Sequence, residues 1–174
     1  MTDQINEQEE KGKIEIEQAK LHMLMQKVKD NQNLSFGITG GAVAAVIGAT
    51  IWAAITAVTH FQIGWMAVGV GFLVGFAVRI CGKGIDMIFG IMGAILSLLG
   101  CLAGNLFAVC FAVSSAQSIP LLDLLSRLNP EITVKLMTAT FSPMDLLFYG
   151  LAVYEGYKFS FRKLSKANYQ DSLA

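Results

Sequence analysis

The sequence predicts an all-α fold in the form of an integral membrane four-helix bundle, because charges are few and are missing from two long segments. Only 15% of the 174 residues are Asp, Glu, Lys or Arg, whereas about 25% is typical of soluble domains. Asp30 and Arg79 are separated by 48 uncharged residues, and Asp86 and Asp123 by 36. Since a crossing needs roughly 20 apolar residues, the first segment holds two crossings and the second holds one. Amphipathic surface helices of a soluble bundle would show shorter and less uniform apolar segments.

The polar N-terminal segment, residues 1–33, predicts a cytoplasmic juxtamembrane helix. Its apolar positions Ile14, Leu21 and Val28 recur every seven residues. Glu17 interrupts this stripe, and two heptads are a weak coiled-coil pattern, so a solvated helix and a self-associating helix both remain open. The segment is too polar and acidic for a cleavable signal peptide, and the first crossing is therefore expected to act as an uncleaved anchor.

Four crossings are expected within residues 34–163. Their predicted positions are about 36–59, 63–78, 85–113 and 142–162. The fourth is the least apolar, but a local signal marks its start: Ser142 is a suitable N-cap, Pro143 takes the first helical position and Asp145 lies three residues after the cap. A helix from there to Arg162 would be about 30 Å long at 1.5 Å per residue, which is just enough to span.

The distribution of the 13 basic residues predicts that both termini are cytoplasmic. With four crossings, eleven of these residues fall before the first crossing, in the turn between the second and third, or after the fourth. Only Arg127 and Lys135 fall on the other side. The side with more Lys and Arg is the cytoplasmic one. Residues 164–174 are then a cytoplasmic tail, and the segment at about 114–141 is extracytoplasmic.

The segment 114–141 is predicted to be ordered and to lie in the membrane interface. Five leucines of one short helix gather on one side, while Asp123 and Arg127 face away, and a second short helix restarts at Asn129. Such amphipathic pieces lie in the interface plane of a bilayer. Two roles remain open, a lid resting on the bundle and a docking surface for an outside partner.

Glycine is frequent in the apolar segments. A phosphate-binding loop would need a strand, an exposed turn and a helix with a nearby Lys, Ser or Thr, and nothing around residues 69–75 supplies these. On a helix at 100° per residue, the glycines instead fall into stripes. Membrane helices associate by close backbone packing, for which rows of small residues are suited. The predicted helix-packing positions are Gly37, Gly41, Gly48, Gly64, Gly71, Gly75, Gly93, Gly100 and Gly104.

A duplicated transmembrane hairpin is a further hypothesis. FGITG at 36–40 and FGIMG at 89–93 both begin crossings that run outward, at an offset of 53 residues. Two glycines of the second crossing match two of the fourth at an offset of 81, Gly69 with Gly150 and Gly75 with Gly156. The offsets differ by about the length of the segment 114–141, so a repeated hairpin with that segment inserted would explain both. Chance similarity is the alternative, because the matches are short.

Two polar residues within the crossings invite a functional interpretation. Glu155 lies about 18 Å from the outer end of the fourth helix by helical rise, and ionisable groups within membrane segments are costly and often functional. The alternative is an ion pair with Lys158 or with Arg79. Asn105, inside the third crossing, is expected to form an interhelical hydrogen bond or to line a pathway with Glu155.

No residue pattern predicts catalysis, a metal site or a cofactor. Cys81, Cys101 and Cys110 lack metal-ligand spacing and are expected to be packing residues. His60 is expected to be an interfacial residue at the outer turn. No Ser/His/Asp or Cys/His group supports an enzyme, and no basic aromatic stripe indicates nucleic acid.

Two distinctive stretches, QIGWMAVGVGFLVGFAVR at 62–79 and YEGYKFSFR at 154–162, resemble a group of small multi-pass bacterial membrane proteins. The resemblance covers most of the chain after Phe36 and includes FGIMGAILSLLGCLAGNLF at 89–107. It implies a location in the bacterial inner membrane. It carries over no catalytic residues, since the group has no assigned activity.

Two functions are compatible with these features. The first is a non-catalytic assembly or scaffold subunit whose partners are the lipid bilayer and either copies of itself or another membrane protein. The alternative is an oligomeric conduit for an ion or small solute, with Glu155 and Asn105 lining a path between protomers. An enzyme acting on lipid is the weakest hypothesis, because no nucleophile and base are paired by spacing.

Overall fold

The computed structural model describes residues 2–59 and 64–162, and all regular structure among them is helical, which confirms the all-α prediction. The seven helices are α1 (Thr2–Asp30), α2 (Leu34–Thr59), α3 (Trp65–Gly82), α4 (Met87–Gln117), α5 (Leu121–Ser126), α6 (Pro130–Thr140) and α7 (Pro143–Phe159). Helix α1 forms a unit of its own, and the other six helices form a second unit.

Helix α1 is polar along most of its 29 residues. Lys27 and Lys29 lie in its last turn, where cations interact favourably with the carbonyl end of the helix. The Asn31 side chain donates a hydrogen bond of 3.0 Å to the carbonyl of Lys27. The heptad positions Ile14 and Leu21 are exposed, so self-association through α1 stays a prediction.

Three helices, α2, α3 and α4, are each long and apolar enough to cross a membrane. Helix α3 continues to Gly82, four residues beyond its predicted end, and closes where Lys83 adopts a left-handed conformation (φ 49°) and donates to the carbonyl of Arg79 at 3.2 Å. Helix α4 continues to Gln117 and closes in the same way at Ser118 (φ 55°). The predicted connection 114–141 is therefore shorter than expected, because its first residues belong to α4.

The predicted fourth crossing is wrong in length. Helix α7 ends at Phe159 instead of Arg162, and its 17 residues span only about 25 Å at 1.5 Å per residue. Helices α6 and α7 together are long and apolar enough to form one span, but they are bent by 105° at the break between them. The structure therefore contains three candidate membrane spans, or four if the bent pair is one span.

The start of α7 has the predicted cap. The Ser142 hydroxyl accepts a hydrogen bond from the Met144 amide at 3.4 Å, and the Asp145 carboxylate accepts one from the Ser142 amide at 2.8 Å. This reciprocal arrangement is a capping box, and it is confirmed. Helix α6 begins similarly, with the Asn129 side chain accepting from the Ile132 amide at 2.7 Å.

Helices α2, α3, α4 and α7 pack around a core of small side chains such as Ala49, Ala67 and Val74. Helix α2 contacts α3 and α4, and α7 also contacts α3 and α4. Helices α3 and α4 touch across the middle, whereas α2 and α7 do not meet within the described part of the chain. The four helices thus occupy the corners of a parallelogram with α3 and α4 on its short diagonal. Helices α5 and α6 rest on α4.

The hairpins α2–α3 and α4–α7 make equivalent contacts. A Cβ atom added to Gly40 would meet the side chain of Cys81 and the carbonyl oxygen of Ala77, and one added to Gly93 would meet the side chain of Ser160 and the carbonyl oxygen of Gly156. Gly40 and Gly93 are 53 positions apart, as the matched FGITG and FGIMG stretches predict. Cys81 and Ser160, like Ala77 and Gly156, are 79 positions apart.

The predicted offset of 81 between the second helices of the hairpins is therefore wrong by two residues. Glycines are so frequent in both helices that a shifted alignment still matches several of them. Gly75 and Gly156, which the offset of 81 made equivalent, instead meet each other across the contact between α3 and α7. Under the offset of 79 the basic residues at the helix ends correspond, Arg79 with Lys158 and Lys83 with Arg162.

Candidate functional site

Helices α3 and α7 pack in direct backbone contact. A Cβ atom added to Gly71 would lie 2.5 Å from the carbonyl oxygen of Ala152 and 2.7 Å from its Cα. One turn later, a Cβ added to Gly75 would lie 3.1 Å from the carbonyl oxygen of Gly156. The two backbones are in direct contact, which only small residues permit.

Helices α2 and α4 approach each other in the same manner. A Cβ added to Gly100 would lie 3.2 Å from the Ala45 Cβ, and one added to Gly104 would lie 3.3 Å from the Ala49 Cα. At Gly41 the added atom would meet Leu96 at 2.7 Å. From one contact to the next, the residue number increases on both helices, so α2 and α4 run parallel.

The remaining predicted packing glycines also face neighbouring helices. The contacts that an added Cβ would meet are Gly82 at Gly37, Val70 at Gly48, Phe148 at Gly64 and Ser160 at Gly93. Other closely packed glycines were missing from the prediction, among them Gly82 and Gly156. Gly156 could have been identified as a packing position from its four-residue spacing to Ala152.

Two glycines of the spans do not pack. Nothing lies within 4 Å of a Cβ added to Gly69 on α3 or to Gly150 on α7, and both residues are exposed. In a membrane these positions face lipid or another protein. Gly69 is therefore the natural control for the stability effect of a substitution at a packed glycine of α3.

A layer of polar side chains is buried in the half of the helices nearest α5 and α6. Asn105 is 1% exposed, and its side chain lies close to the phenol of Tyr149 on α7. The Cys101 thiol lies 3.7 Å from the Ala67 carbonyl oxygen, to which it donates. Polar contacts of this kind hold membrane helices together. The interhelical role of Asn105 is the one that its surroundings favour.

The indole N–H of Trp52 and the hydroxyl of Thr56 are buried with no hydrogen-bond partner among the described residues. Both lie on α2, one turn apart, and the Trp52 ring covers Gly104, with its Cε3 atom 3.0 Å from an added Cβ. Near the other end of the bundle, the Ser160 hydroxyl donates to the Gly156 carbonyl at 2.5 Å.

Glu155 is half-buried in α7, and within the described part of the chain it forms an ion pair with neither Lys158 nor Arg79. The Lys158 ammonium instead lies 5.1 Å from the centroid of the Tyr154 ring, within the range of a cation–π interaction. Glu155 is only four residues from the end of α7. Asn105 lies level with Tyr149, about 9 Å of helical rise away from Glu155.

The cysteines divide into two kinds. Cys101 and Cys110 are buried, as expected for packing residues, whereas Cys81 is exposed on α3. The described residues contain no group of three or more His, Cys, Asp or Glu side chains that could hold a metal ion. His60 lies outside the described residues.

An open apolar groove follows the outer side of α2 and α3. Its volume is about 450 Å³. The residues that line it are Phe36, Thr39, Gly40, Val43, Ala44, Ile47, Leu73, Ala77 and Cys81. A smaller cavity of about 190 Å³ lies between α2, α4 and α5, with Phe107 and Leu125 among its lining residues.

No protein-family model, curated protein or solved structure matches this chain.

Proposed function

We propose that the protein is a non-catalytic integral membrane subunit that assembles with copies of itself in the bacterial inner membrane. The observation that carries this proposal is the groove along α2 and α3. Helices α3 and α7 are packed down to backbone contact, as Gly71 on Ala152 illustrates, but along α2 and α3 about 450 Å³ of apolar space is open to the side. Exposed apolar side chains are ordinary in a membrane, whereas a groove between two helices leaves packing contacts unmade.

The proposed topology has four crossings, with α6 and α7 as a broken fourth. Arg79 and Lys83 at the end of α3 and Arg162 beyond α7 lie at the same end of the bundle, where the Arg162 amide donates to the Gly84 carbonyl at 2.9 Å. An excess of cations marks the cytoplasmic side. At the other end each described cation has an acidic neighbour one turn away, Arg127 with Asp123 at 3.7 Å and Lys135 with Glu131 at 2.7 Å.

Helices α5 and α6 are proposed to lie in the outer interface. Leu122 on α5 is 82% exposed, and Ile132 and Val134 on α6 are also exposed. Asp123 and Glu131 share these short helices with the apolar residues. Short helices with both kinds of side chain are stable where headgroups meet acyl chains.

The first test is the mass of the purified protein in detergent, measured by light scattering with correction for bound detergent. We expect a discrete oligomer, and we expect liposomes that contain it to be no more conductive than empty ones. A protein that remains a monomer at every concentration contradicts the proposal. Conductance that is lost in a Glu155→Gln variant would contradict it as well, and would favour a conduit.

A further inference from the structure

The two hairpins pack on each other through opposite faces. The contacts within each hairpin make Ala45 equivalent to Leu98, but Ala45 contacts Gly100. They make Gly71 equivalent to Gly150, but Gly71 contacts Ala152. The contacts of Gly41 with Leu96, Ala49 with Gly104 and Gly75 with Gly156 are displaced by the same two residues. Two residues on an α-helix are a rotation of about 200°, so the contact joins nearly opposite sides of equivalent helices.

This displacement distinguishes two kinds of internal relationship. A two-fold axis would bring equivalent residues together, because the same surface would then face itself. The observed contacts join one surface of the first hairpin to a different surface of the second. Such a head-to-tail relationship is not closed, because each hairpin uses only one of its two surfaces in the contact. The first hairpin keeps free the surface that, on the second hairpin, receives the first; it is called the receiving surface here. The second hairpin keeps free the surface that, on the first hairpin, packs against the second; it is called the inserted surface.

The receiving surface of the first hairpin is the open groove. On the second hairpin, the residues that receive the first are Leu96, Gly100, Ala152 and Gly156. Their equivalents on the first hairpin are Val43, Ile47, Leu73 and Ala77, and all four line the groove. Val43 and Ile47 are 59% and 49% exposed. The same surface is thus covered by helices in one hairpin and uncovered in the other.

The inserted surface of the second hairpin is accessible at three of its four positions. Its residues are the equivalents of Ala45, Ala49, Gly71 and Gly75, namely Leu98, Leu102, Gly150 and Tyr154. Tyr154 is 55% exposed, Leu98 is exposed as well, and nothing lies within 4 Å of a Cβ added to Gly150. The chain therefore carries both halves of the contact that already joins its own hairpins.

We propose that the groove between α2 and α3 binds the Leu98–Gly150–Tyr154 face of a second copy of this chain, head to tail. This inference rests on the proposed function as a self-assembling subunit, and it names the two surfaces involved. In this arrangement Gly150 of α7 faces the partner's Leu73, just as Gly71 faces Ala152 inside the chain. A large side chain then lies opposite a glycine, so the two surfaces are complementary in size at this position.

A head-to-tail contact has a structural consequence. Each copy uses two different surfaces, so a dimer leaves one groove and one α7 face free. Such contacts close into a ring or continue as a row. The assembly is therefore expected to exceed a dimer.

Gly150 can take a larger side chain without a clash inside its own chain, because a Cβ there meets nothing within 4 Å. Val134 of α6, which is 60% exposed and belongs to neither surface, provides the control position. Gly150→Phe is expected to reduce the mass measured by light scattering to that of the monomer, whereas Val134→Phe retains the oligomer. A double variant, Gly150→Leu with Leu73→Gly, exchanges the large and small positions and is expected to restore association. An oligomer that persists in Gly150→Phe overturns the head-to-tail contact but leaves self-assembly standing.

Disulfide cross-linking tests directly whether Leu73 of one copy lies next to Gly150 of another. Leu73→Cys and Gly150→Cys are made separately in a Cys81→Ser background, which keeps the buried Cys101 and Cys110. Oxidation of membranes that contain both variants is expected to yield a cross-linked dimer, and membranes with either variant alone are expected to yield none. Cross-linking of one variant with itself would indicate a two-fold interface and overturn the inference. A wild-type protein that is monomeric would contradict the proposed function itself.

Discussion

Gly71 of α3 and Ala152 of α7 bring two helix backbones together, because a Cβ atom on Gly71 would lie 2.5 Å from the Ala152 carbonyl oxygen. Backbone atoms cannot turn aside as the end of a flexible side chain can. The distance between α3 and α7 is therefore set by the absence of a side chain at residue 71. This dependence on one missing methyl group leads to the first prediction.

Gly71→Ala is expected to destabilise the protein by about 1–3 kcal/mol, the usual cost of adding a methyl group to a closely packed interior. Gly69→Ala, two residues earlier, places its methyl group in open space. It is expected to be neutral or to stabilise by up to about 1 kcal/mol, because alanine favours a helix. Loss of helical circular dichroism on titration with SDS measures both. Equal effects of the two substitutions would contradict the described contact.

The contact between Asn105 and Tyr149 is expected to couple α4 to α7. In a double-mutant cycle with Asn105→Ala and Tyr149→Phe, we expect a coupling energy of about 0.6 kcal/mol, with an upper limit of about 1.7 kcal/mol. A cycle between Asn105→Ala and Tyr154→Phe is the control, because the Tyr154 ring faces Lys158. Additive effects in the first cycle would show that the polar layer does not join these helices.

The capping box is expected to hold the first turn of α7. Ser142→Ala removes the acceptor of the Met144 amide and is expected to cost about 1 kcal/mol locally, while Ser142→Asp keeps an acceptor in place. Hydrogen–deuterium exchange measures the effect as faster exchange of the first amides of α7. Ser126→Ala, which removes a hydroxyl near the end of α5, is expected to leave them unchanged. Unaltered exchange in Ser142→Ala would remove the basis for the cap.

The proposed orientation predicts which cysteines an impermeant maleimide can reach. In a Cys81→Ser background, Lys135→Cys on α6 is expected to react in intact spheroplasts, and Lys20→Cys on α1 only after the membrane is opened. Loss of the exposed pair between Lys135 and Glu131 has little effect on stability, since such pairs contribute at most about 1 kcal/mol. The opposite labelling pattern would reverse the topology.

Local features of the fold could be predicted because they depend on neighbours along the chain. The cap at Ser142 combines three residues within one turn, and the spans follow from uninterrupted apolar length. The ends of α3 and α7 could not be predicted in this way. Lys83 closes α3 in a left-handed conformation that favours glycine, and α7 stops at Phe159 although Arg162 is the next charged residue after Lys158.

The helical class, three of the candidate spans and the stripes of glycine can be read from the sequence, since each is a property of composition and period along one segment. Which stripe meets which depends on the tertiary structure. It paired Gly75 with Gly156 directly, set the offset between α3 and α7 at 79 residues, and left Gly69 and Gly150 without neighbours. The physical reason is that lipid and protein interior are equally apolar. Hydrophobic pattern, which identifies the buried face of a soluble helix, therefore carries no such information in a membrane.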